Sequence, residues 1–516
     1  MPVKRRVSNT VSLPAPIKGW NVVDPLPSMR PEYAPILDNV FCLPSEIQVR
    51  KGYSEWATFT GTCETLFDYD TSLGAEKLFA AVSNAGNYDI YDVTASGPVG
   101  AAVVTGLTNA RFKHSHFATT GGLFTYIVNA ADNARLYDGT TWHTVTDVSS
   151  PYAITGVDTS TFSDVKAFKR RLWFVQENTL KAWYLPTDSI AGAATPFDFA
   201  PVFSRGGHIV KIDTWTLDAG YGVDDYLVIF ASTGEVAVYR GTDPASDTTW
   251  ALTGVFYIGD PVSVGRTCKF GGDLLIINHD GIAQMSTSLM SSRVSTKSAI
   301  TDKIQPAIAN YASTWEENYG WDILLFPPQN MLLVNVPTND GTYFQVVMNT
   351  ISGAWSRWTG IPAVTWYYAN EELYFGASGA VYKMWDTQAD NGTEIVADIL
   401  PAYQSFGSNS RLKRFNMGRV ILGYDGAINY GTRMELDFNL NTNPVTMPLA
   451  VLSPASVYGA SVYGTAVYGG AITIKRDWKN ANGMGYWGSL HIQISTMYSD
   501  VRVYSIDLMM ESGGNI

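Results

Sequence analysis

Short apolar runs, joined in pairs by polar turns, recur along most of the chain. One unit reads LFAAVSNAGNYDIYDV from Leu78, and another reads YLVIFASTGEVAVYRG from Tyr226. The turns between the runs carry Asp-Gly, Ser-Gly or Asn-Gly-like pairs, which supply the positive-φ residues that tight hairpins require. Each unit is therefore predicted to be a β-hairpin.

The hairpins return at a regular interval of about 42 to 57 residues. Their first residues are Leu78, Leu123, Arg171, Tyr226, Leu274, Met331 and Leu373. This interval is expected of four-stranded propeller blades. We predict an all-β fold in which residues 61–390 form a β-propeller of about seven blade-like units. The alternative is a set of unrelated hairpins in sandwiches, because the units share a pattern and not a sequence.

The two ends of the chain lack this interval. Residues 1–60 are rich in proline and are predicted to be an extended N-terminal strap. Residues 391–516 carry longer alternating strands, such as MELDFNL from Met434, and are predicted to be a sandwich-like C-terminal β-domain. One helix is predicted near residues 301–315, with Asp302 as its N-cap.

The segment SVYGASVYGTAVYGG, from Ser456 to Gly470, repeats Val-Tyr-Gly at a spacing of five. No regular element places Tyr458, Tyr463 and Tyr468 on one face at that spacing. The glycines permit sharp bends and the tyrosines offer contact area, so we expect a loop inserted into the C-terminal β-domain.

Composition supports the all-β prediction and limits the partners. The 516 residues include 46 Gly, 24 Pro and 29 Tyr, and the net charge is −12. Aromatic residues suit pleated surfaces, and turns use glycine and proline. A protein that grips nucleic acid normally has a basic face, which this acidic balance disfavours.

The cysteines and the lengths of the apolar runs indicate in which cellular compartment the protein is made and whether it enters a membrane. Cys42, Cys63 and Cys268 are odd in number and form no CxxC pair, so we expect reduced thiols in a protein made in the cytosol. The basic start MPVKRRVSNT lacks the apolar run of a signal peptide, and runs such as YLVIFA are too short to span a bilayer. We expect a soluble chain without an export signal of its own and without membrane insertion.

Candidate metal ligands are sparse in the sequence. His114 and His116 lie two apart in HSH, so on a strand both rings face one side, as a zinc site needs. No third ligand follows at a recognisable spacing and there is no HExxH. We therefore favour two surface or partly buried histidines, and predict no metal site and no cofactor.

Catalytic patterns are equally weak. YDGTTW, from Tyr137 to Trp142, approaches a sialidase-type Asp box but lacks its leading Ser, and an Asp-Gly turn explains it. The adjacent acids Asp224 with Asp225 and Glu371 with Glu372 are predicted to be solvated turn residues and not an acid/base pair. No GxSxG, P-loop or GxGxxG in a βαβ context is present. We predict that the chain is not an enzyme.

Three basic clusters stand out in this acidic chain. They are Lys4-Arg5-Arg6, Lys169-Arg170-Arg171, and Arg411 with Lys413 and Arg414. We select Lys169, Arg170 and Arg171 as a candidate partner-docking cluster, with a solvated strand end as the alternative.

The N-terminal strap resembles the opening of tail proteins of short-tailed bacteriophages. In that family a Gly-x-Asn, an Asp-Pro-Leu, a Met and a Leu-Asp-Asn come before an Arg-x-Gly. Here these are Gly19 and Asn21, Asp24-Pro25-Leu26, Met29, Leu37-Asp38-Asn39, and Arg50 with Gly52. Further similarity covers VSTKSAITDKIQPAI from Val294, VMNTISGAWSRWTGIPA from Val347, LYFGASGAVYKMWD from Leu373 and AYQSFGSNSRLKRF from Ala402.

The family is the tail nozzle, also called tail tubular protein B or packaged-DNA stabilisation protein. The resemblance implies a propeller-containing virion subunit, six copies of which surround the tail axis below the adaptor ring. It implies tail fibres or spikes as partners, retention of the packaged genome, and double-stranded DNA that passes without sequence-specific binding. The protein would be synthesised in the host cytoplasm and located in the phage tail. An acidic wall agrees with such a conduit, because each neutralised phosphate would add drag.

In such a ring, Tyr458, Tyr463 and Tyr468 become a candidate inter-subunit or gating loop, with a loop folded against its own domain as the alternative. Two rival functions remain open. One is a receptor- or glycan-binding propeller at the tail tip, and the other is a glycan-degrading enzyme.

Overall fold

A computed structural model describes residues 8–70, 77–218, 223–262, 266–290, 300–440, 443–447 and 472–512. For residues 217, 218, 223, 224 and 288–290 it describes the backbone only. The described chain is all-β, with two α-helices and three short 3₁₀ turns at Leu26–Ser28, Thr159–Thr161 and Pro327–Gln329.

The N-terminal segment is a series of short strands followed by one long strand. They are β1 Asn9–Pro14, β2 Gly19–Trp20, β3 Tyr33–Ala34, β4 Ile36–Asp38, β5 Val40–Cys42, β6 Ile47–Val49 and β7 Gly52–Tyr69. Strands of the segment predicted to be an extended strap thus pair with strands of two sheets. β1 and β6 pair with a strand near the C-terminus, and β4 belongs to a second sheet. β7 crosses the predicted boundary at residue 60.

The strands of the next region form successive antiparallel sheets. The first of these strands are β8 Lys77–Asn84, β9 Asn87–Asp92, β10 Gly97–Pro98, β11 Val104–Leu107, β12 Lys113–Thr119, β13 Gly122–Val128, β14 Arg135–Tyr137, β15 Trp142–Thr144, β16 Ile154–Thr155, β17 Phe162–Phe168, β18 Arg171–Gln176, β19 Lys181–Tyr184, β20 Gly192–Ala193 and β21 Thr195–Asp198.

The same pattern continues to Thr387. The strands are β22 Ile209–Asp218, β23 Val223–Ala231, β24 Glu235–Gly241, β25 Trp250–Tyr257, β26 Thr267–Phe270, β27 Asp273–Asn278, β28 Gly281–Gln284, β29 Asp322–Phe326, β30 Met331–Pro337, β31 Tyr343–Asn349, β32 Trp355–Trp358, β33 Thr365–Ala369, β34 Glu372–Gly376 and β35 Ser378–Thr387.

All the predicted hairpins are present as antiparallel pairs: β8 with β9, β13 with β14, β18 with β19, β23 with β24, β27 with β28, β30 with β31, and β34 with β35. Strands β12–β15, β17–β19 with β21, and β22–β25 form four-stranded sheets, and β26–β28 form a three-stranded one. Apolar cores lie between successive sheets, for example between the sheet of β17 and that of β22. Sheets arranged in this way form a β-propeller, as the sequence predicts.

The second strands of these sheets are apolar on both faces. All seven residues of β30, MLLVNVP, are buried, and β27 is buried from Leu274 to Asn278. A strand packed between two neighbouring sheets has no solvent face, so a continuous apolar run replaces the alternation of a half-buried strand.

Strand β7 belongs to two units. Its first half pairs with β35 and its second half with β8, so one sheet contains strands from both ends of the propeller region. The strand passes Gly61, which has φ +117° and where an added Cβ would lie 2.5 Å from the carbonyl oxygen of Ser83. Only glycine fits this close approach without displacing the neighbouring strand.

Helix α1 spans Met285–Met290 and helix α2 spans Gln305–Trp315. The prediction that Asp302 caps the second helix is wrong: α2 begins after Ile304 and has Pro306 in its first turn. Proline is tolerated there because that N–H has no partner within the helix. Neither helix has both the length and the hydrophobicity that a bilayer span requires.

The C-terminal strands are β36 Ile395–Leu400, β37 Lys413–Tyr424, β38 Asn429–Leu436, β39 Thr473–Lys475, β40 Lys479–Gly485, β41 Gly488–Thr496 and β42 Val501–Ser512. β37, β42, β39 and β40 form one sheet with β1, β5 and β6, whereas β36, β41 and β38 continue the sheet of β29–β32 through β4. Apolar residues of both sheets share a core that includes Leu422, Leu508 and Ile492.

Candidate functional site

The first strands of the propeller sheets place charged and polar side chains close together. We call these residues the axial set: Asp68, Lys113, His114, His116, Asp164, Lys166, Lys211, Asp213, Arg266, Asp322 and Tyr367. They lie on β7, β12, β17, β22, β29 and β33 or, for Arg266, directly before β26. Side chains on neighbouring first strands contact each other, so most of these polar residues pair with one another instead of packing into the apolar cores.

Strands β17 and β22 exchange two ion pairs within the axial set. Lys166 Nζ lies 2.6 Å from Asp213 and Lys211 Nζ lies 3.2 Å from Asp164. Asp164 also accepts a hydrogen bond of 2.9 Å from the backbone N–H of Ile212. Both carboxylates are buried, so these pairs are shielded from solvent screening.

The two lysines control the ionisation of Asp213. Burial alone would raise the pKa of this carboxyl, but the charges of Lys166 and Lys211 and the hydrogen bonds from Lys166 and Thr267 outweigh it. The net effect lowers the pKa of Asp213 to about 2. Asp213 therefore remains an anion at any physiological pH.

A second cluster lies between β7, β12 and β33. His116 Nε2 is 2.8 Å from Asp68 Oδ1. The hydroxyl of Tyr367 donates to the same oxygen at 2.8 Å and lies 3.2 Å from His114 Nε2. On its other side, the Nδ1 atom of His116 is 2.9 Å from the hydroxyl of Thr125.

The protonation states of this cluster are set by burial and by the mutual contacts. Burial lowers the pKa of His114 to about 3, and the neighbouring His116 acts in the same direction. Burial would raise the pKa of Asp68, but the hydrogen bond and charge of His116 outweigh it and lower the value. His114 is thus a neutral imidazole and Asp68 a carboxylate, the forms that metal ions bind.

The ligand atoms of Asp68, His114 and His116 all lie within 4.8 Å of one another. The sequence suggested no metal site because no third ligand follows HSH. The third candidate precedes it, at the end of β7, and belongs to the neighbouring sheet. A search for polar residues on the first strand of each predicted blade would have found it.

A cavity of about 360 Å³ opens where several first strands begin. Its lining includes Arg111, Lys113, Ser163, His208, Arg266 and Tyr319. Lys113 Nζ, Ser163 Oγ and Arg266 Nε are buried and have no hydrogen-bond partner among the described residues. Burial lowers the pKa of Lys113 well below its usual value, and the charges of Arg266 and Lys211 act in the same direction.

The three cysteines are free thiols, as the sequence predicts. Burial raises the pKa of Cys42 and of Cys268 to about 12 and also raises that of Cys63. The thiols therefore remain protonated at neutral pH and are poor metal ligands and nucleophiles.

The predicted docking cluster forms the turn between β17 and β18. Lys169 and Arg170 have positive φ values of 44° and 62°. Each cation has an acidic partner in the same chain: Asp225 is 2.9 Å from Lys169, Asp243 is 3.2 Å from Arg171, and Asp188 contacts Arg170. These contacts give the cluster a structural role, and its partner-docking role stays a prediction.

The other predicted sites are turns or lie outside the described residues. Tyr458, Tyr463 and Tyr468 belong to the latter group. Asp138 accepts backbone hydrogen bonds from Thr140 and Thr141 at 2.8 and 2.7 Å, as expected of a turn residue.

The two pairs of adjacent acids are also explained by local contacts where their side chains are described. Asp225 accepts from Lys169 and Thr216 at 2.9 Å each. Glu371 has φ 62° in the turn after β33, and Glu372 is 2.9 Å from Lys383.

Residues of the N-terminal motif gather at a buried junction. Arg50, 1% exposed, uses all five of its N–H groups: they donate to Asn39, to the carbonyls of Lys51 and Thr359, and twice to Asp390, over 2.6–3.2 Å. Arg50 lies just before β7, Thr359 just after β32, and Asp390 after β35. The junction therefore holds the start of β7 against these two segments.

Other motif residues extend this junction. Asp38 receives two hydrogen bonds, of 2.8 and 2.6 Å, from Arg357. The Oδ1 atom of Asn21 accepts from the backbone N–H groups of Val23 and Asp24. Gly19 has φ +91°, and a Cβ there would lie 2.5 Å from the carbonyl oxygen of Trp355. The motif is therefore structural in its described contacts.

No family model and no curated protein matches this chain. Similar solved structures include BBS1N in complex with ARL6DN, which is 10% identical, covers 66% of this chain and 100% of its own, and has a TM-score of 0.41. YCF48 bound to D1 peptide is 12% identical, covers 65% and 97%, and has a TM-score of 0.36.

YCF48 from Cyanidioschyzon merolae is 10% identical, covers 67% of this chain and 97% of its own, and has a TM-score of 0.34. Likeness at this distance supports no inference about function.

Proposed function

We propose that this chain is a structural subunit of the tail nozzle of a short-tailed bacteriophage. Six copies would surround the tail axis below the adaptor ring, extend the DNA channel, retain the packaged genome and open for ejection. Fibres or spikes would attach to the ring, and the protein would be located in the virion.

The observation that carries this proposal is the buried junction. The strap residues through which the chain resembles tail nozzle proteins, among them Gly19, Asp38, Asn39 and Arg50, are occupied by contacts within the chain. A motif used to join three regions of one polypeptide fits a structural subunit better than an enzyme, whose motif residues would point toward a substrate. Asn39 of the junction also donates to the carbonyl of Val396 in β36, so the junction links the propeller to the C-terminal sheets.

Charge supports the proposed channel. The chain carries a net charge of −12, and the described cations of the docking cluster and of the β17–β22 network are paired with acids. These paired cations of the described chain would contact phosphates only weakly, so DNA would pass them without tight binding.

We further propose that the propeller has seven blades and that the C-terminal sheets form a sandwich. A count of seven is supported by contacts between consecutive first strands, in the order β7, β12, β17, β22, β26, β29, β33 and back to β7. The first half of β7 would then complete the last blade beside β35. A shared core between the sheets of β37 and β41 supports the sandwich.

Immunogold electron microscopy of the virions whose genome encodes this chain tests the proposal. Label confined to the distal end of a short tail, together with a hexamer in light-scattering measurements of the purified protein, is the expected result. Virions without label would overturn the proposal.

A receptor- or glycan-binding propeller at the tail tip is the second candidate, and the cavity near Lys113 and Arg266 favours it. A binding site of this kind would select a ligand rich in acceptor oxygens, because Lys113 Nζ and Arg266 Nε there have no hydrogen-bond acceptor among the residues that the structure covers. Gold label on fibres or spikes, with binding to acidic glycans on an array, would favour this function. Release of reducing sugar from host polysaccharide would instead favour a glycan-degrading enzyme.

A further inference from the structure

The cluster of Asp68, His114 and His116 combines side chains from two neighbouring sheets. His114 and His116 occupy alternate positions of β12, which pairs in regular register with β13, so both rings face the same side. Asp68 reaches the same point from the second half of β7.

We propose that Asp68, His114 and His116 bind a divalent transition metal ion, and that zinc is the ion they fit best. Two imidazole nitrogens and one carboxylate oxygen form a ligand set that zinc accepts in proteins. Magnesium and calcium prefer oxygen ligands alone, so the two imidazoles exclude them as the main occupant.

The spacing is close to what a zinc ion requires. Ligand atoms about 2.0 Å from a tetrahedral ion lie about 3.3 Å apart. His116 Nε2 and Asp68 Oδ1 are 2.8 Å apart, and the ligand atoms of all three residues lie within 4.8 Å of one another. Bringing atoms as far apart as 4.8 Å to about 3.3 Å needs shifts of up to about 0.8 Å per ligand atom, which side-chain rotation can supply.

Outer contacts already orient the ligands. The hydroxyl of Thr125 lies 2.9 Å from His116 Nδ1; since a hydroxyl both donates and accepts, it can hold this ring with Nε2 free for the metal. Tyr367 donates to Asp68 at 2.8 Å and holds the carboxylate in place. Such outer contacts are typical of metal sites.

The charges around the cluster also permit a cation. Lys166 and Lys211 act on His114 electrostatically, but each of these lysines is paired with an aspartate. Asp68 therefore remains available to offset the charge of the ion. The bound ion would link β7 to β12 and, through Tyr367, approach β33.

Isothermal titration with Zn²⁺ and absorption spectroscopy with Co²⁺ test this site in the untagged full-length protein after dialysis against a chelator. We expect one ion per chain, a Co²⁺ d–d spectrum of tetrahedral type, and a higher thermal midpoint with Zn²⁺, because an ion that binds only the folded state stabilises it. His116→Gln and, separately, His114→Gln should each weaken Zn²⁺ binding at least about 100-fold.

His143→Gln is the matched control. His143 Nε2 also lies 2.8 Å from an aspartate, Asp138, in the same sheet as His116, yet no third ligand joins that pair among the residues described. This variant should bind Zn²⁺ as the wild type does.

Circular dichroism shows which histidine variants fold, and the folded ones decide the outcome. Unchanged Zn²⁺ affinity in folded His116→Gln or His114→Gln would overturn the proposal. So would the absence of Zn²⁺ binding by the wild type at micromolar concentrations. If both histidine variants fail to fold, Thr125→Val supplies the decision: unchanged Zn²⁺ affinity and an unchanged Co²⁺ spectrum would overturn the proposal, and a weaker affinity would support it.

Discussion

The buried junction and the axial set both contain buried basic side chains, but these side chains differ in how many of their N–H groups have a hydrogen-bond acceptor. At the junction, Arg50 has an acceptor for each of its five N–H groups. Near the axis, Lys113 Nζ is buried without a hydrogen-bond partner among the described residues. The Arg50 side chain at the junction has an acceptor for every donor, whereas the axial set contains donors without an acceptor among the described residues.

This difference separates structural charges from candidate ligand-binding charges. A saturated network leaves nothing for a ligand to bind, and its loss is a loss of stability. A buried donor without an acceptor destabilises the folded protein. Binding of a ligand that supplies the acceptor removes this destabilisation. The same substitution made in both regions should therefore change stability in opposite directions.

The largest effect is expected for Arg50→Met. The change leaves Asp390 buried without its cation, and breaking a buried ion pair in this way costs about 3–5 kcal/mol. Denaturant unfolding of the purified protein measures the loss. In the double variant with Asp390→Leu part of the stability should return, since no buried charge is then left unpaired.

Arg170→Met is the control for this prediction. Arg170 also contacts an aspartate, Asp188, but its side chain is 74% exposed. Exposed pairs contribute about 0–1 kcal/mol. A loss at Arg170 as large as that at Arg50 would show that burial does not distinguish the two pairs.

Gly19→Ala should destabilise the junction by about 3 kcal/mol. Alanine adds the cost of a positive φ, about 1–2 kcal/mol, and that of a Cβ lying 2.5 Å from the carbonyl oxygen of Trp355. Gly86, in the β8–β9 turn, has a similar φ of +87° but open space around its Cβ position. Gly86→Ala should therefore lose only the free energy of placing alanine at a positive φ. Equal thermal midpoints for the two variants would contradict this explanation.

The pH dependence of stability tests the ion pairs of the axial set. The pKa of Asp213 is lowered to about 2 from an ordinary value of 3.8. A lowered carboxyl pKa stabilises the folded state above the unfolded pKa, and this contribution disappears as the pH falls toward 2. Wild type should exceed Asp213→Asn by about 2 kcal/mol at pH 6, and the difference should shrink below pH 4. A difference that stays constant down to pH 3 would show that the carboxylate charge is not responsible.

The sequence predicted the hairpins well because each is a local feature. A unit such as LLIINHDGIAQM contains both apolar runs and the turn that joins them, and the structure has β27 and β28 at that place. Propeller architecture followed from the interval between such units.

The candidate site was not predictable in the same way, because its residues are joined only by long-range packing. Asp68 and His116 belong to different hairpin units and meet between neighbouring first strands. Arg50 and Asp390 lie far apart in sequence, and their contact depends on strand β7 meeting β35. The helix start was also missed: α2 begins at Gln305, three residues after the predicted cap Asp302, and has Pro306 in its first turn.

The smallest predicted effect has the opposite sign to that at Arg50. Lys113→Met keeps most of the volume of the side chain and removes an amino group that is buried without a hydrogen-bond acceptor among the described residues. Removing an unsatisfied buried donor should raise the free energy of unfolding by about 1 kcal/mol at neutral pH. Lys181→Met, at an exposed position of β19, should change it by less than about 0.5 kcal/mol. If Lys113→Met were less stable than the wild type, Lys113 would stabilise the fold as Arg50 does. The proposed difference between the junction and the axial set would then be wrong.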